Sequence, residues 1–456
     1  MLREKIKKFH FIGIGGIGMS GIAQILLEMG YEVSGSDIKE NRNTELLRKK
    51  GAKIFIGHSP RNLGDAQVVV YSSAVKEDNP EIQEARRRNI PVIPRGEMLA
   101  ELFKLKEGIA VSGSHGKTTT TSMIAEILIN AGLEPTVIVG GRLKRLGTNA
   151  KLGKGDILVS EADESDGSFL KLSPAVAVVT NVDREHLDFY KNFDEIKIAF
   201  EKFINCVPFY GFAVVNTDDE TLREIVEKSQ ERIITYGIEN EALVMGKKLR
   251  LKEGRYEFDV EYKGQELGSI HLGIAGKHNV YNALASVSVA LELKIPFEII
   301  KKSLEEFRNA ERRLDLKGFF KGSPVYDDYG HHPTEIKAVI SSLRDIYPDR
   351  KLLVVFQPHR YSRTYYLFWD FVKVLKEIEK LLITDIFPAS EENIYGVDAK
   401  HLASESGGIF VKDKEEAFEK LVNLHEEGDV ILFLGAGSIS KWCEEFLKKF
   451  SEKSGT

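Results

Sequence analysis

Three stretches of the chain repeat one design: a short apolar strand, a glycine-rich turn and an amphipathic helix. The first runs Lys8-Phe-His-Phe-Ile-Gly-Ile-Gly-Gly-Ile-Gly-Met19 into Ser20–Met29. The second runs Gly108-Ile-Ala-Val-Ser-Gly-Ser-His-Gly-Lys-Thr-Thr119 into Thr120–Asn130, and the third Asp429-Val-Ile-Leu-Phe-Leu-Gly-Ala-Gly-Ser438 into Ile439–Phe450. Such units build parallel α/β sheets whose ligands gather at the carboxyl ends of the strands. They stand at the start, in the first third and at the end of 456 residues. That placement predicts three α/β domains rather than one large sheet, in keeping with about 150 residues per domain.

The pattern between these units sets the boundaries. Strands are expected at Glu32–Ser34, Lys53–Ile56, Val68–Ser72 and Pro91–Pro94, followed by a helix over Gly96–Leu105. A Rossmann-like domain over 1–106 results. A central P-loop ATPase-type domain over 107–311 takes strands at Asp156–Glu161, Val176–Asn181 and Gly211–Asn216 and a helix from His278 to Leu293. Over roughly 230–275, β-branched residues alternate with glycine-containing turns, the pattern of an antiparallel elaboration. The charged segment Arg308–Asp315 leads into a second Rossmann-like domain, 312–456, with strands at Leu352–Phe356 and Leu381–Asp385. Ser451–Thr456 read as a frayed end.

Composition excludes several classes. A formal net charge of −5 rules out a protein held to nucleic acid by bulk charge, while leaving room for a local basic pocket. Cys206 and Cys443 stand in unrelated contexts with no CxxC, so neither a disulfide framework nor a zinc knuckle is available. Arg3, Lys5, Lys7 and Lys8 precede an apolar stretch reaching Leu27, but glycines at 13, 15, 16, 18 and 21 fit a strand-turn-helix better than a signal peptide. No run of eighteen apolar residues follows, so the expectation is a cytoplasmic protein without a membrane partner.

Gly113-Ser-His-Gly-Lys-Thr118 is a shortened phosphate-binding loop, with two residues between the glycines where the strict pattern has four. Gly113 and Gly116 permit a tight turn, so that the amides of Ser114, His115 and their neighbours face phosphate oxygens at a helix start. Lys117 is then expected to reach the β- and γ-phosphates of ATP, Thr118 to ligate Mg²⁺, and Thr119 to complete the cradle. Magnesium wants hard oxygen ligands, and Glu161 ends an apolar strand where one is needed. Of Asp163, Glu164 and Asp166, two read as a solvated acidic loop. His186 follows another strand; imidazole suits softer metals, so residue type alone favours a structural role. Gly13-Ile-Gly-Gly-Ile-Gly18 with Asp37 closing the next strand has the spacing of a diphosphate turn, with the acid on a ribose. The turn does not say which diphosphate.

Taken together, the motifs resemble the Mur ligases, over nearly the whole chain. The resemblance rests on Gly13–Ala23, Gly113–Thr120, Glu161–Asp166, His278-Asn-Val-Tyr-Asn-Ala283, Arg312-Arg313, Asp327-Asp-Tyr-Gly-His-His-Pro333 and Gln357-Pro-His-Arg-Tyr-Ser-Arg-Thr364. Several of these mark the alanine-adding branch. The resemblance implies that ATP phosphorylates the lactyl carboxylate of UDP-N-acetylmuramate and that L-alanine attacks the acyl phosphate, with two Mg²⁺ ions assisting. It assigns Lys117 to the phosphates, Thr118 to metal, Glu161 to both ions as their shared ligand, and His186 to the second. Asn279 and Asn282, three apart on one helical face, are implied for the adenine and phosphate sides. Arg313 and Asp328 are implied to reach the nucleotide from the third domain, and His359, Arg360 and Arg363 to meet the alanine carboxylate and the acyl phosphate. Gly15, Gly16, Ile17, Gly18 and Asp37 are implied to hold UDP, with His58, Ser72 and Ser73 completing that pocket. Lys197 and Lys202 lie on the helix expected over Asn192–Phe203, and this branch is expected to do without the carbamylated lysine of many relatives. With the chemistry divided among three domains, closure about Arg308–Asp315 is expected.

Each motif has a plainer reading. The asparagines can cap a helix, Arg312 and Arg313 can be a solvated linker, and His331-His332-Pro333 can start a helix. Competing functions are a ligase that recycles a preformed peptide onto the same nucleotide sugar, a folate polyglutamylating ligase, a nicotinamide-dependent oxidoreductase using Gly13–Gly18, and a non-catalytic nucleotide-binding scaffold. The partners expected are small molecules, and the sequence is neutral between a monomer and a weak homodimer.

Overall fold

The computed structural model describes residues 5–143, 147–186, 189–389 and 391–450; the expected frayed end lies outside the described residues. Backbone contacts divide the chain into two compact units, one of residues 1–249, 258–273 and 279–310, the other of residues 250–257, 274–278 and 311–456.

The first unit carries two sheets. In the first, β1 (Lys8–Ile12), β2 (Glu32–Asp37), β3 (Lys53–Ile56), β4 (Val68–Tyr71) and β5 (Val92–Pro94) lie in the order β3-β2-β1-β4-β5. All pair in parallel, with Phe9 opposite both Val33 and Val68. Strand order reverses at β1, so the crevice beyond its carboxyl end is the place for a ligand, and the first glycine turn fills that place. Phe11 and Ile12 are fully buried, as befits a central strand covered on both faces.

The second sheet comprises β6 (Glu107–Ser112), β7 (Thr136–Leu143), β8 (Thr148–Lys151), β9 (Ile157–Glu161), β10 (Val176–Val179), β11 (Phe212–Asn216), β12 (Ile233–Gly237), β13 (Val244–Lys252), β14 (Arg255–Tyr262) and β15 (Gln265–His271). Its order is β15-β14-β13-β12-β11-β10-β6-β9-β7-β8. The expected antiparallel elaboration begins later than residue 230, because β12 pairs in parallel with both β11 and β13. Beyond it, two-residue turns link β13 to β14 and β14 to β15; φ is positive at Glu253, Gly254, Lys263 and Gly264, the twist that tight hairpins demand.

Sequence reasoning missed the antiparallel pair β7 and β8, whose glycines and short edge strand break any periodic signal. That pair receives the first domain. A methyl group at Gly21, on the helix Ile17–Glu28, would stand 3.1 Å from Asn149 Nδ2 and 3.2 Å from Ile138 Cγ2, so the helix lies directly on the strands. Asn149 Nδ2 donates to Ile17 O at 2.6 Å, and Gln24 Nε2 to Ala150 O at 2.6 Å. One apolar cluster runs from Phe9 and Ile22 through Ile138 and Ala150 to Phe169 and Phe200, so both sheets share a core.

In the second unit, β16 (Asp315–Phe320), β17 (Ser323–Asp328), β18 (Leu352–Phe356), β19 (Lys380–Thr384), β20 (Ile409–Val411) and β21 (Val430–Leu434) form a sheet in the order β16-β17-β21-β18-β19-β20. Only the β16–β17 pair is antiparallel. The turn after β21 has the third glycine-rich sequence but is filled from within. Gln357 Oε1 accepts from Ile439 N at 3.1 Å, and Gln357 Nε2 lies 3.2 Å from Ser438 Oγ. A Cβ at Gly437 would collide with that same Oε1.

Candidate active site

The loop after β6 is built around two glycines that no other residue replaces. Gly113 has φ +127°, and a Cβ there would run into Thr180 Oγ1; Gly116 has φ +85°, and a Cβ there would sit 2.5 Å from Asn282 Oδ1. The helix starts at Lys117, because left-handed Gly116 itself takes the cap position. Asn181 braces the loop: Ser114 N donates to its carbonyl at 3.0 Å and His115 N to its side chain at 2.9 Å. The amides of Ser114 and His115, expected to face phosphate, are thus committed to Asn181. The donors left without intrahelical acceptors by the geometry of a helix start are those of Lys117, Thr118 and Thr119. Thr180 Oγ1 donates to His115 O at 2.6 Å, and His115 Nε2 lies 2.9 Å from Asp183 Oδ2.

Lys117 Nζ donates to Gly113 O at 2.6 Å and to Glu164 Oε1 at 2.7 Å. Burial alone would lower its pKa, but the charges of Glu164, Glu185 and Asp163 more than reverse this and raise it, so the ammonium is secured. Within the acidic loop Glu164 departs from a solvated reading, while Asp163 and Asp166 stay partly exposed. Glu164 is 2% exposed, Asp163 bonds Arg95 at 2.8 Å, and Asp166 Oδ1 accepts from Ser168 N at 3.0 Å. Through these bonds Glu164 Oε1 holds the lysine, and Asp163 and Asp166 hold the loop. Glu161 ends β9 and accepts from Gly140 N at 2.6 Å. Neighbouring Gly141 faces Thr118, whose Cγ2 is 3.1 Å from the position of an added Cβ, so both oxygen donors border one glycine pair.

His186 Nε2 lies 3.5 Å from Glu164 Oε1 and 3.7 Å from Glu185 Oε2. Burial lowers its pKa, but the bond to Glu164 and the charge of Glu185 outweigh that and raise it. Ligand atoms of Glu164, Glu185 and His186 all lie within 4.8 Å of one another. Asn282 joins the loop from a distant helix, Lys277–Glu292: its Oδ1 accepts from Thr120 Oγ1 at 3.1 Å, and its Nδ2 donates to Asn279 Oδ1 at 3.0 Å. The two asparagines lie inside the helix rather than capping it. Thr119 Oγ1 turns to Asn309 at 3.3 Å. Lys197 pairs with Glu224 at 3.2 Å.

In the first glycine turn, Asp37 Oδ2 accepts from Gly15 N at 2.8 Å, and Asn43 Nδ2 donates to Gly15 O at 2.9 Å. Gly16 precedes the helix, Ile17 and Ser73 are exposed, and a methyl group at Gly18 would meet Arg95. Ser72 lies under the turn, its Cβ 3.3 Å from an added Cβ at Gly13. His58 Nδ1 lies 3.0 Å from Ser36 Oγ, which donates to Glu81 Oε2 at 2.6 Å. Glu81 is wholly buried. It also meets His10 Nε2 at 3.1 Å, Ser59 N at 3.0 Å and Asn62 Nδ2 at 2.6 Å. Burial pushes its pKa up, but His10 and Ser36 more than compensate and hold it at about 2.

The second unit gathers the remaining expected residues at the carboxyl ends of β17 and β18. Arg313 stands between Arg312 and Leu314, both at positive φ, with its guanidinium 5.4 Å from the Tyr329 ring centroid. Asp328 accepts from Leu314 N at 2.6 Å and Gly330 N at 2.7 Å; burial outweighs Arg313 and raises its pKa to about 6. His359 stacks on Phe387 with ring centroids 5.5 Å apart, and its Nδ1 lies 3.3 Å from Arg363 NH1. Burial, then the charges of His331, Arg363 and Arg360, lower its pKa to about 2, so it stays a neutral imidazole among cations. Arg360 has φ +69° and lies 3.7 Å from Glu391. His332 caps the helix Pro333–Ile346 through its bond from Thr334 N, which bears out the plainer reading of that histidine pair.

Three family models match in order. "Mur ligase family, catalytic domain" covers residues 8–107, "Mur ligase middle domain" covers 111–290, and "Mur ligase, glutamate ligase domain" covers 312–437. The chain is 81% identical to the UDP-N-acetylmuramate–L-alanine ligase of Aquifex aeolicus, over 98% of this chain and 99% of that protein. It is 53% identical to the ligase of the same name from a Hydrogenobaculum species, over 98% of this chain and all of that one. Among solved structures, UDP-N-acetylmuramate-alanine ligase MurC of Thermotoga maritima matches with a TM-score of 0.84 at 31% identity, over 97% of this chain and 99% of that one. With its loop, helix and sheet order already in place, the chain belongs to the Mur ligase family.

Proposed function

We propose that this chain joins L-alanine to the lactyl carboxylate of UDP-N-acetylmuramate at the expense of ATP, giving ADP, phosphate and a peptidoglycan precursor. The observation that carries this reading is full-length identity of 81% to a ligase of that name. The first domain, 1–106, takes the UDP group, with the diphosphate on Gly15–Gly18, the ribose on Asp37, and His58, Ser72 and Ser73 around it. The central domain, 107–311, takes ATP on Gly113–Thr119, and the third, 312–456, closes the reaction space about the Arg308–Asp315 segment.

The chemistry follows from the charges. Lys117, fixed by Glu164, neutralises the β- and γ-phosphates as the terminal phosphoryl group passes to the carboxylate oxygen. Asn282 supports the cradle and Asn279 the adenine side. Arg313 and Asp328 steer the nucleotide from the third domain. Arg360 and Arg363 receive the alanine carboxylate and the acyl phosphate, and His359 presents a neutral ring to them. The amine attacks the acyl carbon, the C–O bond to phosphate breaks, and the amine proton leaves to solvent or to a base.

Two Mg²⁺ ions fit the donors. Glu164 Oε2 is buried with no hydrogen-bond partner among the described residues, and carboxylates are the hard ligands that Mg²⁺ prefers. Thr118 and Glu161 would hold one ion, and Glu161 with His186 the other; their positive charge would offset charge developing on the phosphates. Among the described residues no helix is long and apolar enough to cross a membrane, and a reaction consuming ATP and a nucleotide sugar suits the cytoplasm. The test is ADP release with Mg-ATP and UDP-N-acetylmuramate against a panel of L-alanine, glycine, L-serine, L-glutamate and tripeptide. Turnover with L-alanine is expected, and its absence refutes the reading; turnover with tripeptide alone points to the recycling ligase.

A further inference from the structure

Arg95 belongs to neither nucleotide pocket as the sequence defines them, yet it touches the framework of both. It opens the helix Arg95–Phe103, and its side chain lies along Gly18: a methyl group there would stand 3.0 Å from Arg95 NH1 and 3.3 Å from Cδ. From the same guanidinium, NH2 donates to Asp163 Oδ2 at 2.8 Å. The next residue, Glu164, holds Lys117 Nζ at 2.7 Å. One side chain thus spans from the first glycine turn to the residue beside the lysine's anchor.

The surrounding contacts make that span stiff. Gly96 packs against Ser168 with no room for a Cβ, and Lys171 pairs with Glu97 at 3.1 Å. Ser168 Oγ donates to Asp163 O at 3.3 Å. The acidic loop is therefore mounted on the start of the helix that also borders the glycine turn. A guanidinium carries five donors in a rigid planar fork, so it can serve an anion on each edge at once. Here one edge is given to Asp163 and NH1 faces the turn.

We propose that Arg95 couples the two nucleotide sites, so that a diphosphate on Gly15–Gly18 and a triphosphate on the Lys117 loop each strengthen the binding of the other. The inference rests on the reading that the first turn takes the diphosphate of the nucleotide sugar. An anion at the turn gives the fork a second partner and restrains it. A restrained fork keeps Asp163, and through its neighbour Glu164 keeps Lys117, in the position that the second anion requires. The coupling is reciprocal by linkage. Lysine has the charge without the fork, so it cannot hold both partners in one geometry.

The experiment is calorimetric titration of the full-length protein with UDP-N-acetylmuramate, alone and in the presence of saturating magnesium and a non-hydrolysable ATP analogue. It is run on the wild type, Arg95→Lys and Arg95→Ala, with a melting curve for each. In the wild type the analogue is expected to tighten the nucleotide sugar by about fivefold or more. In both variants the factor is expected to fall below about twofold, with Arg95→Lys keeping its melting temperature. A wild-type factor near one, or an undiminished factor in Arg95→Lys, overturns the proposal. A wild type that takes up no nucleotide sugar at all refutes the diphosphate reading, and this inference with it.

Discussion

Replacing Glu81 by glutamine keeps its shape and removes its charge. In the native protein its carboxylate has a pKa of about 2 against an ordinary 4.5, because its bonds to His10, Ser36 and Ser59 outweigh the cost of burial. A carboxylate whose folded pKa lies below its unfolded one stabilises the fold fully above the unfolded value and loses that contribution as pH falls through both. At about 1.4 kcal/mol per pH unit, the contribution at neutral pH is about 3 kcal/mol, and about 1.4 kcal/mol of it survives at pH 3. Glu81→Gln is therefore expected to cost the first domain about 3 kcal/mol at pH 7 and less than half of that at pH 3. Both tryptophans, Trp369 and Trp442, lie in the other unit, so their fluorescence is the wrong probe. Amide hydrogen exchange in peptides covering β1 and β2 reports the right region. Equal protection of those peptides in wild type and Glu81→Gln at pH 7 would refute the reasoning, as would a difference that does not shrink on acidification.

Three further outcomes are expected. Lys117→Ala abolishes turnover while leaving UDP-N-acetylmuramate affinity within about twofold, as measured by ADP release and calorimetry; parallel loss of both contradicts the division of labour between the domains. Gly116→Ala forces a β-carbon into left-handed backbone and against Asn282 Oδ1. At about 1–2 kcal/mol for the backbone alone, ATP affinity should drop about tenfold. An unchanged nucleotide titration would remove Asn282 from the cradle. Gln357→Ala leaves Ile439 N without its acceptor and costs about 1–3 kcal/mol. The urea transition of Trp442 fluorescence should move to lower denaturant, and an unmoved midpoint would mean that water replaces the lost carbonyl.

The three strand-turn-helix units were legible because glycine spacing and apolar runs are local signals. Leu352–Phe356 and Ile439–Phe450 occur at the expected residues for that reason. The positions of Lys117, Thr118 and Glu161 in the fold were legible too, since each stands next to its own element's end. Asn181, Glu164, Arg95 and Gln357 were not. Each works through one side chain bonded to a backbone or charge far along the sequence, as Arg95 is to Asp163, and such a bond leaves no period behind. Within the acidic run Asp163–Asp166 the burial of Glu164 leaves no local mark, because its cationic partner, Lys117, is dozens of residues away. Asn279 and Asn282 rest on the resemblance; the placement of Asn282 against Gly116 and Thr120, with Asn279 bonded to it, explains why a helix far along the chain bears on the loop.

The side chain of Gln357 gives the third glycine-rich turn a permanent occupant supplied by the chain itself. On the proposed reading of the first two turns, a small molecule that mimics pyrophosphate has two sockets to compete for among the three glycine-rich turns. Substituting that one glutamine is the way to find out whether the third can be opened to a guest.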